Sequence, residues 1–144
     1  MWGEVLSAGE ALGLSREELN AIIGDVGTSI SKFGFSGEDA PKLLFGGQIG
    51  KVAGDDAFCV TENELSRRRA GLAVTHAVQN GLWADWDAVE SLWARAFDLL
   101  RAKEHREHSV FAAEAAWAEA AQREKFTQLM FEKFDVPALY IAPK

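Results

Sequence analysis

The fold is decided by the stretch Ala21-Ile22-Ile23-Gly24-Asp25-Val26-Gly27-Thr28-Ser29-Ile30-Ser31-Lys32-Phe33-Gly34-Phe35-Ser36. Its first five residues have the apolar character of a short buried strand. The following residues, Val26 to Ser29, are small and include a glycine, which is typical of a tight turn. Because residues 30–36 then alternate in character, the stretch predicts a β-hairpin.

The rest of the chain predicts more strands and two helices around this hairpin. Short apolar runs predict further strands at 43–45, 110–113 and 138–142. Residues 86–100 and 122–134 carry apolar side chains at helical spacing. We expect the first three strands to form an antiparallel meander, the later two to join the same sheet, and both helices to pack on it. This order of elements indicates an α/β layer architecture.

Two parts of the chain give weaker signals. Residues 1–20 are interpreted as a leader, although Ser15, followed by Glu18, resembles a helix start. Residues 47–80 are the least regular part and are interpreted as a small flexible excursion outside the core. Trp86 and Trp93 lie two helical turns apart, and we expect both in the core.

Composition excludes several classes of protein. The 144 residues contain 22 acidic and 15 basic side chains, a net charge of −7, which argues against nonspecific binding to nucleic acid. No apolar run approaches the length of about 18 residues that a membrane-spanning helix requires, and no secretory signal is visible. Cys59 is the only cysteine, so an internal disulfide is impossible, and we interpret it as a packing residue.

The hairpin turn is the first candidate for chemistry. Gly27, Thr28 and Ser29 can present backbone N–H groups and hydroxyls to a phosphate, and Lys32 adds a positive charge. The Asp25 carboxylate could hold Mg²⁺ through water. An ordinary β-hairpin explains the same residues, and from the pattern alone it is the more frequent outcome.

Other polar clusters have simpler explanations. His105 and His108 stand beside glutamates, but a solvated loop at 103–108 is favoured over a metal site because no third ligand has suitable spacing. Arg67 to Arg69 is interpreted as a solvated basic face. Glu114, at the end of an apolar run, is interpreted as a strand end that turns to solvent.

Several segments together resemble the actin superfamily. Residues 25–29 match its first phosphate loop, and residues 32–41 resemble the Lys-Ala-Gly-Phe-Ala-Gly-Asp-Asp-Ala-Pro stretch of conventional actin. Residues 80–87 resemble its Gly-Ile-Val-x-x-Trp-Asp segment. Residues 123–132 resemble Arg-Glu-Lys-Met-Thr-Gln-Ile-Met-Phe-Glu, and 136–142 continue that match. The matches keep their order from residue 21 to the end.

The resemblance implies the first lobe of an actin- or hexokinase-like ATPase fold, a mixed sheet flanked by helices. It implies an incomplete large subdomain at 21–46 and 77–144, with 47–76 as a small protruding subdomain. ATP and Mg²⁺ are the family's ligands, and Asp25, Gly27, Thr28, Ser29 and Lys32 are the expected contacts, with Asp25 reaching the metal through water. We expect the second lobe and the catalytic half to be absent, and therefore neither stable ATP binding nor enzyme activity in this chain alone.

Asn80 and Trp117 indicate which branch of the actin superfamily the chain resembles. Asn80-Gly81 resembles the Lys-Asn-Gly of the nuclear branch of actin-related proteins, and Trp117 stands where conventional actin usually has Leu. Ser29 replaces a family Gly in the phosphate loop, and Asn80 replaces a modified His, so the link of that His to phosphate release is not carried over.

The nuclear branch implies a structural role. Its members are subunits of chromatin-remodelling and histone acetyltransferase complexes, with a helical segment of a remodeller motor subunit and conventional actin as partners. Direct sequence-specific binding of nucleic acid and membrane binding are not expected. The alternatives are a cytoplasmic, filament-forming actin ATPase and a fragment with an interaction role only.

Overall fold

A five-stranded mixed sheet forms the centre of the molecule. In the computed structural model, which describes residues 21–55, 57–100 and 107–144, the strand order is β10-β9-β1-β2-β3. The strands are β1 (Ile22–Asp25), β2 (Ile30–Phe35), β3 (Leu43–Gly46), β9 (Val110–Glu114) and β10 (Leu139–Pro143). Strands β1 to β3 are antiparallel neighbours, whereas β9 and β10 run parallel to β1. The predicted meander and the two additional strands are confirmed. The leader proposed at residues 1–20 lies outside the described residues.

Two helices cover one face of this sheet. Helix α2 spans Trp86–Leu99, and the Asp85 side chain caps it by accepting the Ala88 N–H at 3.1 Å. Helix α3 spans Ala120–Gln128 and continues as a π-helical turn over Leu129–Lys133. Both helices were predicted from their apolar spacing. The wider turn was not, because the spacing of apolar residues alone does not distinguish α from π geometry there.

The core lies between these helices and the sheet. Trp93, Phe33, Phe126 and Met130 are completely buried, and the rings of Trp93 and Phe33 meet edge to face with centroids 5.0 Å apart. The prediction for Trp93 is confirmed. Trp86 is only half-buried, because it is the first residue of α2 and lies at the margin of the core.

Residues 47–80 are more regular than the sequence indicated. Strands β4 (Gln48–Val52), β5 (Phe58–Cys59) and β6 (Leu72–His76) form a second sheet in the order β5-β4-β6, and a short helix α1 spans Glu62–Leu65. Strands β7 (Val78–Gln79) and β8 (Leu82–Trp83) pair as a hairpin. The expectation of an excursion outside the core was wrong, since Ile49 and Val60 are buried in the central cluster. The limits proposed for a separate subdomain at 47–76 stay a prediction.

The structure also bears on the interpretations of Cys59, of Arg67 to Arg69 and of the histidines. Cys59 is buried, as expected of a packing residue, and Arg67 to Arg69 are exposed. His108 packs against the Phe35 ring, and His105 lies outside the described residues. Within residues 21–55, 57–100 and 107–144, no helix has the length and apolar character needed to cross a membrane.

Candidate phosphate-binding edge of the sheet

The candidate site lies at the carboxyl edge of the parallel strands. Strands β1, β9 and β10 end together at Asp25, Glu114 and Pro143, because their registers align Asp25 with Ala113 and Pro143 with Glu114. The β1–β2 turn over residues 26–29 leaves the sheet from this edge. In open α/β sheets, ligands bind outside the carboxyl ends of the strands. The geometry therefore places the predicted phosphate turn where a ligand is expected.

The turn is fixed in position by two other loops. The Ser29 carbonyl accepts the Gly47 N–H at 2.7 Å, and the Thr28 hydroxyl oxygen accepts the Gly81 N–H at 3.1 Å. A Cβ at Gly47 would lie 2.0 Å from the Thr28 carbonyl oxygen, so only glycine allows this approach. Sequence reasoning missed both glycines, since each is distant from the turn along the chain.

The same turn keeps its own donors available. Among the described residues, the backbone N–H groups of Gly27, Thr28 and Ser29 have no hydrogen-bond acceptor. A Cβ at Gly27 would lie 2.5 Å from the Ile30 carbonyl oxygen, so the tight turn requires glycine there. Successive unpaired N–H groups form a concavity that favours anions. The residues present therefore fit a phosphate group.

Lys32 and Asp25 lie on the same face of the hairpin. They are directly opposite each other in the antiparallel register, so their side chains are neighbours. Lys32 has no ion-pair partner in the part of the chain that the structure describes, whereas Asp25 is paired with Lys144. The five predicted site residues, Asp25, Gly27, Thr28, Ser29 and Lys32, are thus brought together on one hairpin.

Lys144 is a member of the site that the sequence did not reveal. Its ammonium group pairs with the Asp25 carboxylate, whose side chain is 15% exposed. The signal for it was the strand order, because Lys144 follows β10 directly and β10 ends at the same edge as β1. Two lysines therefore flank one carboxylate, and the local charge favours an anion.

Asp25 is the residue predicted to reach a metal at this edge. Across the described ranges, no three His, Cys, Asp or Glu side chains converge on a point where an ion could be held directly. Asp25 is one carboxylate already paired with an ammonium group. Its contact with hydrated Mg²⁺ through water stays a prediction.

Glu114 corrects one interpretation of the sequence. It does not turn to solvent: only 3% of the residue is exposed, and its Oε1 accepts N–H bonds from the Arg123 side chain, with Nε at 2.9 Å. The hydrogen bond from Arg123 and the negative charge of Glu114 raise the pKa of the Arg123 guanidinium above its usual value. The pair joins the end of β9 to α3 at the carboxyl edge of the sheet.

The residues that indicated a branch lie beside the phosphate turn. Asn80 and Gly81 both have positive φ, at 52° and 80°, in the two-residue turn between β7 and β8. A Cβ at Gly81 would lie 2.9 Å from the Trp117 ring. The Asn80-Gly81 turn is therefore in contact with Thr28 on one side and Trp117 on the other.

Comparison with known proteins agrees with this geometry. The family model described as Actin matches residues 16–144. The chain belongs to the actin family. Its sheet and helices form a partial actin-like fold, and the role of residues 25–32 as the family's first phosphate loop stays a prediction.

One relative of this actin-family chain is Actin-related protein 4 of Arabidopsis thaliana. The two are 34% identical over 155 aligned positions, which cover 88% of this chain. The chain spans 35% of the length of that relative. The similarity agrees with the branch that Asn80 and Trp117 indicated.

Proposed function

We propose that this actin-family chain is part of a structural subunit of a nuclear chromatin-remodelling or histone acetyltransferase complex. The similarity to an actin-related protein 4 supports this proposal, as do the branch residues Asn80 and Trp117. A nuclear location follows from the same proposal.

The nucleotide role rests on one observation, the free N–H groups of the hairpin turn. We propose that Gly27, Thr28 and Ser29 donate these N–H groups to the phosphates of ATP, and that the Lys32 ammonium group pairs with them. Asp25 would orient the hydration shell of Mg²⁺. Bound Mg²⁺ would neutralise phosphate charge.

In this proposal the chain binds and orients phosphate but does not hydrolyse ATP. Hydrolysis requires a group that positions the attacking water, in addition to phosphate contacts. The only carboxylate on the hairpin is Asp25, and Lys144 engages it. Thr28 and Ser29 are exposed, so their contacts with a phosphate would be weakened by solvent.

The proposed partners are a helical segment of a remodeller motor subunit and a conventional actin. Direct contact with nucleic acid is not part of the proposal, because a net charge of −7 disfavours approach to phosphate backbones. The second candidate function is that of a cytoplasmic, filament-forming actin. Asn80 and Trp117 disfavour it, since conventional actin carries other residues at both positions.

Reconstitution separates the two functions. The chain is coexpressed with conventional actin and a helical motor-subunit segment, and the mixture is analysed by size-exclusion chromatography with light scattering. Coelution as a stoichiometric ternary complex supports the proposal. Sedimentation with actin filaments, without coelution with the helical segment, would support the cytoskeletal function. If the chain entered neither assembly, the proposed role would be rejected for this polypeptide.

A further inference from the structure

A groove lies between α2 and α3 on the surface that faces away from the sheet. Its volume is about 670 Å³, within the usual range for ligand sites, and its floor is made by Trp86 and Leu129. Both side chains are half-buried and pack against the core from outside. The groove is distinct from the phosphate turn, because none of its lining residues belongs to the hairpin at residues 25–32.

The π-helical turn forms one wall of this groove. The Phe134 N–H donates to the Leu129 carbonyl oxygen at 3.3 Å, five residues back, where an α-helix would use a carbonyl four residues back. Single π turns inside helices occur frequently at functional sites. The wider turn holds Met130 in the core while Leu129 stays at the groove surface.

The charges along the groove are only partly balanced. The Lys133 ammonium group pairs with Glu90 at 2.6 Å, and the Lys125 ammonium group lies 4.9 Å from the centroid of the Trp86 ring. Glu90 therefore balances the charge of Lys133, whereas Lys125 keeps its charge beside the Trp86 ring. Asp87 and Glu132 are exposed on the same groove, and neither carboxylate has an ion-pair partner within the described ranges.

This combination selects the chemistry of an occupant. The lining holds three carboxylates and two ammonium groups, so its net charge is negative. An apolar floor with a net negative rim complements a segment that carries one large apolar side chain flanked by Lys or Arg. A nucleic acid or an acidic peptide would meet repulsion from the same carboxylates. We propose that the α2–α3 groove is a docking site for a basic, amphipathic peptide segment of another protein.

The test uses the full 144-residue chain and a defined probe. The probe is a 16-residue amphipathic peptide with leucines on one face and lysines on the other, and calorimetry measures its dissociation constant. Two control peptides replace the leucines by serine or the lysines by glutamate. The groove variant is the double substitution Asp87→Asn and Glu132→Gln. The matched control is Glu119→Gln with Glu124→Gln, which removes the same charge from two exposed positions outside the groove, one directly before α3 and one on it.

The proposal predicts micromolar binding of the basic peptide and at least about fivefold weaker binding of either control peptide. It predicts a similar weakening for the groove variant and a change of less than about twofold for the control variant. Leu129→Ala, checked for folding by circular dichroism, should also weaken binding. Equal weakening by the two double variants would show attraction to net charge alone and would overturn the proposal. Failure of the wild-type chain to bind the peptide would do the same.

Discussion

The two sheets of this chain are held in different ways. The five-stranded sheet is stabilised by apolar burial, with Trp93, Phe33, Phe126 and Met130 fully enclosed beneath two helices. The three-stranded sheet contributes Ile49 to the core, and Val60 follows directly after β5, whereas strand β6 is half-buried to exposed along its length. The smaller sheet therefore depends more on polar contacts.

Glu64 supplies a polar contact between α1, in the region of the smaller sheet, and α2, which covers the larger sheet. Its Oε2 accepts the N–H groups of Val60 and Thr61, each at 3.0 Å, and its Oε1 pairs with Arg95 of α2 at 3.0 Å. Partial burial alone would raise the pKa of Glu64. The backbone hydrogen bonds and the charge of Arg95 outweigh this effect and hold the pKa below its usual value. One carboxylate thus caps α1 and links it to the larger layer.

The largest expected effect comes from breaking the core of the larger layer. Met130→Asp would place a carboxylate at a fully buried position. We expect a loss of about 4 kcal/mol or more in the free energy of unfolding, or no folded protein. Thermal denaturation measures this. Phe131→Asp is the matched control, because Phe131 is 42% exposed and should tolerate the charge. A similar loss in both variants would contradict the docking of this helical turn.

A smaller effect is expected from overpacking the same layer. A Cβ at Gly24 would lie 2.2 Å from the Trp93 ring, so Gly24→Ala must displace the indole. We expect a loss of about 1–3 kcal/mol in urea denaturation. Gly46→Ala is the control, because its Cβ would meet no atom within 4 Å. An unchanged stability for Gly24→Ala would show that the helix does not pack on β1 as described.

The smallest effect on stability is expected at the link to the smaller sheet, and it depends on pH. Folding lowers the pKa of Glu64, so the ionised carboxylate stabilises the folded state. This stabilisation is present above the unfolded pKa of about 4.3 and is lost as the pH falls through the folded pKa. Glu64→Gln should cost about 0.5–1.5 kcal/mol at pH 7 and almost nothing below pH ~3.

Denaturation of wild type and variant across this pH range measures the difference. Glu62→Gln, on the same short helix, has no ion-pair partner among the described residues and serves as the control. A loss that stayed constant from pH 7 to the acid end would show that the carboxylate charge is not the cause.

The two regions also differ in what their sequences reveal. The hairpin at 22–35 and the helices have clear local signals, in turn residues and in apolar spacing, and they were predicted. Strand β4 carries Gly50 and Lys51 between its apolar residues, so its pattern is too short and irregular to read as a strand. Strand β4 is identified by its hydrogen-bonded pairing with β5 and β6, which lie elsewhere along the chain, and no local sequence pattern encodes that pairing.

The candidate site shows the same limit. The turn residues Gly27 to Ser29 are consecutive and could be recognised from their composition. The ion pair between Asp25 and Lys144 joins residues 119 positions apart, and only the strand order brings them together. Glu114 was misjudged because its partner Arg123 lies on another element, and a buried charge is recognisable only with its counterion.

We propose that the hairpin turn donates N–H groups to phosphate through only a few exposed contacts. Titration of the isotopically labelled chain with Mg-ATP, followed through backbone amide resonances by NMR, tests this proposal most directly. We expect a dissociation constant of about 1 mM or weaker, because a few exposed contacts barely offset the lost freedom of the ligand. The shifts should centre on Gly27, Thr28 and Ser29, and Lys32→Ala should reduce them, whereas Lys42→Ala, directly before β3, should not. Micromolar affinity, ATP turnover abolished by Asp25→Ala, or shifts centred elsewhere would contradict this role of the hairpin turn.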